Sequence, residues 1–274
     1  MGLRSVFVVL ALLLAAGGFL FFTQHNHRQD REQGIAGDYV DSSECASCHP
    51  TIYETFQHSG MGRSFSRLGP VTIEDFKVKN TFYHAASDRY YTMVERDGRY
   101  FQRRHQLGPD GKPINVVEKE IDYVLGSGNH ARTYLHLDEQ KKLVELPVGW
   151  YAENGGYWGM NPGYDRPDQP DFRRRITQEC FFCHNAYPAV GKDSDRTGGE
   201  AAFPGKIPEG IDCQRCHGPG GAHIRATQAV DSTADQIRKS IVNPARLSSD
   251  RNLEICMQCH LESTSARLPY SVRR

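Results

Sequence analysis

One pentapeptide pattern, Cys-x-x-Cys-His, constrains this chain more than any other feature. It occurs four times, and the four copies use all eight cysteines of the 274-residue sequence. The copies, called motifs 1 to 4, are Cys45-Ala-Ser-Cys48-His49, Cys180-Phe-Phe-Cys183-His184, Cys213-Gln-Arg-Cys216-His217 and Cys256-Met-Gln-Cys259-His260. A histidine after every second cysteine requires an explanation beyond the pairing of thiols.

Covalent haem attachment explains both the cysteines and the histidines. Two thiols three positions apart can form thioethers to the two vinyl groups of one porphyrin, and the adjoining imidazole then coordinates the iron. Structural zinc or disulfides would leave the four histidines unexplained, and a thioredoxin-like motif normally occurs once. The sequence therefore predicts four haem c groups, each held by the two cysteines of one motif, with His49, His184, His217 and His260 as proximal iron ligands.

Three further histidines are candidates for the distal side of the irons. His223 follows the glycine-rich segment after motif 3, where glycine lets the backbone pass close to a porphyrin face, and we expect it to serve a neighbouring haem. His58 ends the predicted helix after motif 1, and His130 follows Gly-Ser-Gly at the tip of a β region. Exposed loop histidines are the alternative, and Met61 is a weaker candidate than His58. The remaining His84, His105 and His136 lie in strand-like segments, where a cross-strand or surface role is expected.

The N-terminal segment predicts export of the rest of the chain. Residues 5–24 carry no charge and are mostly apolar, as in a secretory signal or an uncleaved anchor. An anchor in residues 1–24 is favoured because no clear small-residue cleavage site follows. We therefore expect a periplasmic location at the inner membrane. The formal net charge of zero gives no reason to expect nucleic acid as a partner.

The pattern along the chain predicts an α+β protein, mostly helix and loop, with stacked haems. We expect a linker over residues 25–40, a haem segment over 41–70, a β-rich insertion over 71–160 and a three-haem segment over 161–274. Asp97-Gly98 between two alternating runs predicts a hairpin of residues 90–95 and 99–106, and further strands are predicted over 116–125, 131–137 and 142–148. One helix is predicted from motif 1 to His58, one between motifs 3 and 4, and one capped by Ser248 and bearing motif 4.

The segment from Gly210 to His223, Gly-Ile-Asp-Cys-Gln-Arg-Cys-His-Gly-Pro-Gly-Gly-Ala-His, resembles the haem-packing signature of the cytochrome c-554-like multihaem cytochromes. That family is related to hydroxylamine oxidoreductases and pentahaem nitrite reductases. The resemblance implies stacked haems, electron transfer, sometimes one five-coordinate iron, and His223 as a distal ligand. The β-rich insertion departs from the compact, mostly helical small members of the family.

Three functions are compatible with these features. The first is electron transfer between redox proteins or quinol-linked membrane complexes, because closely packed haems can pass electrons in sequence while the protein sets each potential. The second is an oxidoreductase acting on a small nitrogen or oxygen species at a five-coordinate haem. The third is a docking or sensing role for the β-rich insertion. Whether the chain is an enzyme is left open, with electron transfer favoured.

Overall fold

The computed structural model of the protein describes residues 38–69, 72–191, 194 and 200–260. All of these residues belong to one compact unit, and they form ten β-strands and seven α-helices. The chain is therefore α+β as expected. Strands are prominent, however, so the expectation of a mostly helix-and-loop protein is corrected; alternating stretches rich in Tyr, Thr and Val build complete sheets.

The predicted anchor in residues 1–24 and the linker up to residue 37 lie outside the described residues. Among the helices that are described, none combines the length and the apolar character needed to cross a bilayer.

The strands lie between motifs 1 and 2 and form two antiparallel sheets. Sheet 1 has the order β1-β6-β7-β9-β10, with β8 paired to β7, and sheet 2 is a meander of β2 to β5. The bounds are β1 Phe65–Arg67, β2 Thr81–His84, β3 Arg89–Arg96, β4 Arg99–Leu107, β5 Pro113–Glu120, β6 Tyr123–Leu125, β7 Ala131–Leu137, β8 Leu143–Glu145, β9 Val148–Tyr151 and β10 Tyr157–Met160.

The hairpin prediction is confirmed. Strands β3 and β4 pair in register around Asp97 and Gly98, whose φ angles are 55° and 72°. Positive φ at both central residues is the requirement of the two-residue turn that matches strand twist. The predicted strand over 131–137 is also confirmed.

Two predicted strands are each divided in the structure. Residues 116–125 divide between β5 in sheet 2 and β6 in sheet 1, so the chain changes sheets at Ile121. Residues 142–148 divide between β8 and β9 at Pro147, because proline lacks the N–H that a central strand position would donate.

Sheet 1 is covered on both faces. One face packs on sheet 2 through a cluster that includes Tyr91, Met93, Tyr134 and Val148. The opposite face packs on the chain that carries motif 2, through a cluster that includes Phe65, Leu135, Phe181 and Phe203. Neighbouring residues of one strand, such as Tyr134 and Leu135, point to opposite faces, so the central strands β6 and β7 contribute to both clusters.

The helices carry the motifs and are short. Their bounds are α1 Ser43–Ala46, α2 Pro50–Gln57, α3 Gln178–His184, α4 Gln214–His217, α5 Gly221–Gln228, α6 Ala234–Lys239 and α7 Ser249–His260. The single helix expected from motif 1 to His58 is corrected to α1 and α2. Pro50 explains the break, because the residue before a proline is disfavoured in helical conformation, and His49 has φ −123° and ψ 50°.

The single helix expected between motifs 3 and 4 is likewise two helices, α5 and α6. Thr233 is extended and closes a capping box with Gln236, which starts α6 as a separate helix. The predicted cap of α7 is present as a long hydrogen bond of 3.5 Å from the Arg251 N–H to the Ser248 hydroxyl.

Candidate haem-attachment sites

Each motif lies on a helical turn, and the two cysteines of the motif lie on the same side of that turn. Motif 2 lies within α3, motif 4 ends α7, motif 3 starts at the N-cap of α4, and motif 1 spans the end of α1. The His49 N–H donates to the Cys45 carbonyl at 2.9 Å, and the His217 N–H to the Cys213 carbonyl at 3.0 Å. Residues three and four apart on a helical turn are neighbours, so the two thiols and the imidazole of a motif emerge together.

The donor set of the motifs fits haem c. All eight cysteines are free thiols and at least partly exposed, as thioether formation requires. Four helices that carry or flank the motifs, α1, α2, α6 and α7, bury no residue. Ile52 and Leu253, each one turn from a motif, are 66% and 58% exposed. A porphyrin is a large apolar plate that would cover such side chains, at about 25 cal/mol per Å² removed from water.

The imidazoles of His217 and His223 each hold one ring nitrogen against a backbone carbonyl. His217 Nδ1 lies 2.8 Å from the Val242 carbonyl oxygen, and His223 Nδ1 lies 3.1 Å from the Ile237 carbonyl oxygen. A carbonyl only accepts, so Nδ1 carries a proton, and in the neutral imidazole Nε2 is then the nitrogen with the lone pair. A ligating histidine is commonly held by such a bond from its other ring nitrogen, and both residues fit that arrangement.

His58 and His130 lie on adjacent loops. His58 is the exposed C-cap of α2, and His130 is exposed in the loop between β6 and β7. The two loops meet where the Arg63 guanidinium donates to the Asn129 side-chain oxygen at 3.3 Å. Across the described ranges, no three His, Cys, Asp or Glu side chains converge as metal ligands. Distal ligation by these histidines therefore stays a prediction.

The histidines of the sheets have partners within the protein. His84 is 4% exposed, with Nδ1 2.7 Å from the Ser87 hydroxyl and Nε2 3.1 Å from an Asp165 carboxylate oxygen. His105 stacks on Tyr90, its cross-strand neighbour. His136 Nδ1 lies 3.0 Å from both the Glu120 carbonyl and an Asp122 carboxylate oxygen. The contact of His105 is the expected cross-strand one, whereas His84 and His136 bond to residues of turns and strand ends.

Thiols of different motifs lie close to one another. A hydrogen bond with Cys45 lowers the pKa of Cys213 to about 7, and the same bond raises the pKa of Cys45. Burial, together with the neighbouring Cys183, raises the pKa of Cys259 to about 11. Burial first, and then the nearby Cys256, raises the pKa of Cys216. Motif 1 is therefore close to motif 3 at Cys45 and Cys213, and Cys256 of motif 4 is near enough to Cys216 of motif 3 to affect it electrostatically. Motif 4 contacts motif 2 directly, because the Cys259 thiol lies 3.8 Å from the Phe182 carbonyl oxygen.

Backbone and side-chain bonds hold the segments that bring the motifs together. The Asp38 carboxylate accepts two hydrogen bonds of 2.7 Å from Arg225 in α5, so the chain before motif 1 is held against the chain after motif 3. The Ser64 hydroxyl donates to the His184 carbonyl at 2.8 Å and accepts from the Ile211 N–H at 3.2 Å. Ser64 thereby links the end of motif 2 to the start of the chain leading to motif 3.

A guanidinium group matches a carboxylate such as a haem propionate, but the arginines shortly before motif 2 and within motif 3 are already bound within the protein. Arg174 donates to a Glu145 carboxylate oxygen at 2.9 Å, and Arg175 donates to Asp138 at 2.6 Å. Arg215 donates to backbone carbonyls. These three arginines therefore stabilise the protein's own structure, a role that their sequence context does not reveal.

Comparisons with protein-family models, with curated proteins and with solved structures found no match to this chain. The resemblance to the cytochrome c-554-like family therefore rests on the residues from Gly210 to His223 and on the four motifs. Membership of that family stays a prediction.

Proposed function

We propose that this chain is an extracytoplasmic tetrahaem cytochrome c that transfers electrons between redox partners. The observation that carries the proposal is that the Cys-x-x-Cys-His motifs lie beside one another in pairs, motif 1 near motif 3 and motif 2 against motif 4, although both sheets separate motif 1 from the others in sequence. When bound, each haem would supply one reversible one-electron couple of its iron. The residues of the chain attach the porphyrins, orient the proximal imidazoles and keep the attachment sites close together.

The closeness of the attachment sites supports electron transfer more directly than catalysis. Cys213 of motif 3 interacts with Cys45 of motif 1, and Cys256 of motif 4 is near enough to raise the pKa of Cys216 in motif 3. Haems attached at adjoining sites could pass electrons from one to the next. Catalysis would need, in addition, an open coordination position on one iron. The proposed partners are redox proteins or quinol-linked membrane complexes, with the N-terminal segment as the proposed inner-membrane anchor.

Two measurements on protein expressed with the haem-attachment machinery test the proposal. Intact mass should show four added haems, and the reduced absorbance spectrum should show bands of low-spin haem c. A bare polypeptide mass would contradict the proposal. Electron paramagnetic resonance separates the alternatives: a wholly low-spin spectrum supports electron transfer, and a high-spin haem that binds cyanide or nitric oxide would favour an oxidoreductase.

A further inference from the structure

The two residues between the cysteines of motif 3, called the motif-3 spacer, are Gln214 and Arg215. Gln214 is 2% exposed. Its side-chain nitrogen donates to the Val40 carbonyl at 2.7 Å, and its side-chain oxygen accepts from the Val40 N–H at 3.0 Å. The same oxygen accepts from the Gly220 N–H at 3.0 Å. One buried amide thus pairs with the backbone that leads into motif 1, as a neighbouring strand would.

Arg215 reaches in the other direction, to the end of the helix that carries motif 2. Its guanidinium donates to the carbonyls of Asn185 at 3.1 Å and Ala186 at 3.0 Å, with a longer contact of 3.4 Å to Phe181. The guanidinium also lies over the Tyr187 ring, 3.8 Å from its centroid. A planar fork can serve several carbonyls at once, which an ammonium group cannot do in the same geometry.

In motifs 1 and 4, spacer side chains form hydrogen bonds within their own turns. The Ser47 hydroxyl of motif 1 donates to the Glu44 carbonyl, and the Gln258 amide of motif 4 donates to the Ile255 carbonyl. In the spacer of motif 2, Phe181 packs into the core beneath sheet 1, and the Phe182 ring lies under the Arg215 guanidinium, 4.7 Å from ring centroid to guanidinium carbon. The motif-3 spacer thus uses polar side chains to connect its motif to the segments of two others.

We propose that Gln214 and Arg215 are positioning residues, which set the spacing of motif 3 from motifs 1 and 2. The inference rests on the proposed function, since the groups whose spacing is set are the attached haems. Moving one attachment site relative to its neighbours would change the burial, hydrogen bonding and nearby charge of its cofactor. Those are the quantities by which a protein tunes the potential of a haem.

The test uses three variants of the full-length holoprotein. Arg215→Lys keeps the charge but not the planar fork, Gln214→Ala removes the buried amide, and Gln258→Ala makes the same change in the spacer of motif 4. Intact mass first establishes the haem content of each. We expect Arg215→Lys and Gln214→Ala to shift the stepwise redox titration and the low-spin resonance signals relative to wild type. These shifts should be larger than the shift caused by Gln258→Ala, because the Gln258 side chain bonds only within its own helix turn in the described structure.

Each outcome decides the inference. Loss of haem from motif 1 in Gln214→Ala, or from motif 2 in Arg215→Lys, located by peptide mapping, would also support positioning. Titrations and spectra of both variants that superimpose on those of four-haem wild type would overturn this inference and leave the proposed function intact. Wild type without haem mass would overturn both. If Gln214→Ala does not fold, Arg215→Lys alone tests the positioning role. A wild-type spectrum of Arg215→Lys would show that a positive charge at this position is sufficient and that the planar guanidinium does not position motif 3.

Discussion

Gly210 has a backbone conformation and a close contact that only glycine accommodates. Its φ is +64°, and a Cβ at this position would lie 2.0 Å from the Gly62 carbonyl oxygen. Its N–H donates to the Phe65 carbonyl, and its carbonyl accepts from the Ala186 N–H, both at 2.7 Å. One residue thus joins β1, the chain after motif 2 and the chain entering motif 3.

Gly210→Ala should therefore lower the free energy of unfolding by about 3 kcal/mol, because left-handed strain adds to a backbone clash. Gly111→Ala is the matched control: φ there is +75°, but no atom lies within 4 Å of the added Cβ. It should cost about 1 kcal/mol from strain alone. Urea unfolding followed by circular dichroism measures both. Equal decreases in the free energy of unfolding of the two variants would contradict a contribution from the close contact between Gly210 and the Gly62 carbonyl oxygen.

The turn between β7 and β8 shows how one side chain stabilises an element. The Asp138 carboxylate accepts from the Gln140 and Lys142 N–H groups at 2.9 Å and from Arg175 at 2.6 Å. Burial alone would raise the pKa of Asp138, but these bonds outweigh it and hold the pKa below its usual value of 3.8. The turn is thus tied to the chain that leads into motif 2.

A carboxylate with a lowered pKa stabilises the fold above its unfolded pKa, and this stabilisation is lost as the pH falls through the folded pKa. Asp138→Asn should therefore reduce stability at pH 7 by about 1–2 kcal/mol. The difference from wild type should narrow as the pH falls below about 4. Urea unfolding at pH 7 and pH 3 tests this.

Asp110→Asn provides the control for the same substitution in the turn between β4 and β5. The Asp110 side chain is 60% exposed, and its carboxylate pairs with the neighbouring Lys112. We expect a change within about 0.5 kcal/mol at either pH. If the difference in the free energy of unfolding between wild type and Asp138→Asn stays constant with pH, ionisation of the Asp138 carboxylate does not stabilise the turn.

At the scale of the whole molecule, the two core clusters are built by the sheets and by the chain around motif 2. The fully buried Gln102 side chain joins the two sheets through the backbone of Val148. Its nitrogen donates to the Val148 carbonyl at 2.9 Å, and its oxygen accepts from the Val148 N–H at 3.1 Å. By contrast, α6 and α7 bury no residue. The sheets therefore have a hydrophobic core of their own, whereas these helices leave apolar side chains such as Leu253 exposed.

Haem-free protein, produced without the attachment machinery, should accordingly keep its sheets and lose order near motif 4. Hydrogen exchange measured by mass spectrometry should show protected amides in β3, β4 and β7 with and without haem. Amides of α6 and α7 should be protected only in the holoprotein, since local stability follows the density of buried apolar contacts. Equal protection of α7 in both forms would contradict the expected contribution of the cofactors.

Features that depend on a few neighbouring residues were determined by the sequence itself. The four motifs and the Asp97-Gly98 hairpin are of this kind, because a helical turn or a tight turn needs only the right residues at fixed short spacing. Tertiary structure alone decided that Ile121 marks a change of sheet, that motif 3 lies near motifs 1 and 4, and that Gln214 and Arg215 hold its neighbours. Those outcomes depend on which carbonyl and N–H groups, distant in sequence, need hydrogen-bond partners once the chain is folded. Short-range sequence patterns do not predict these partners.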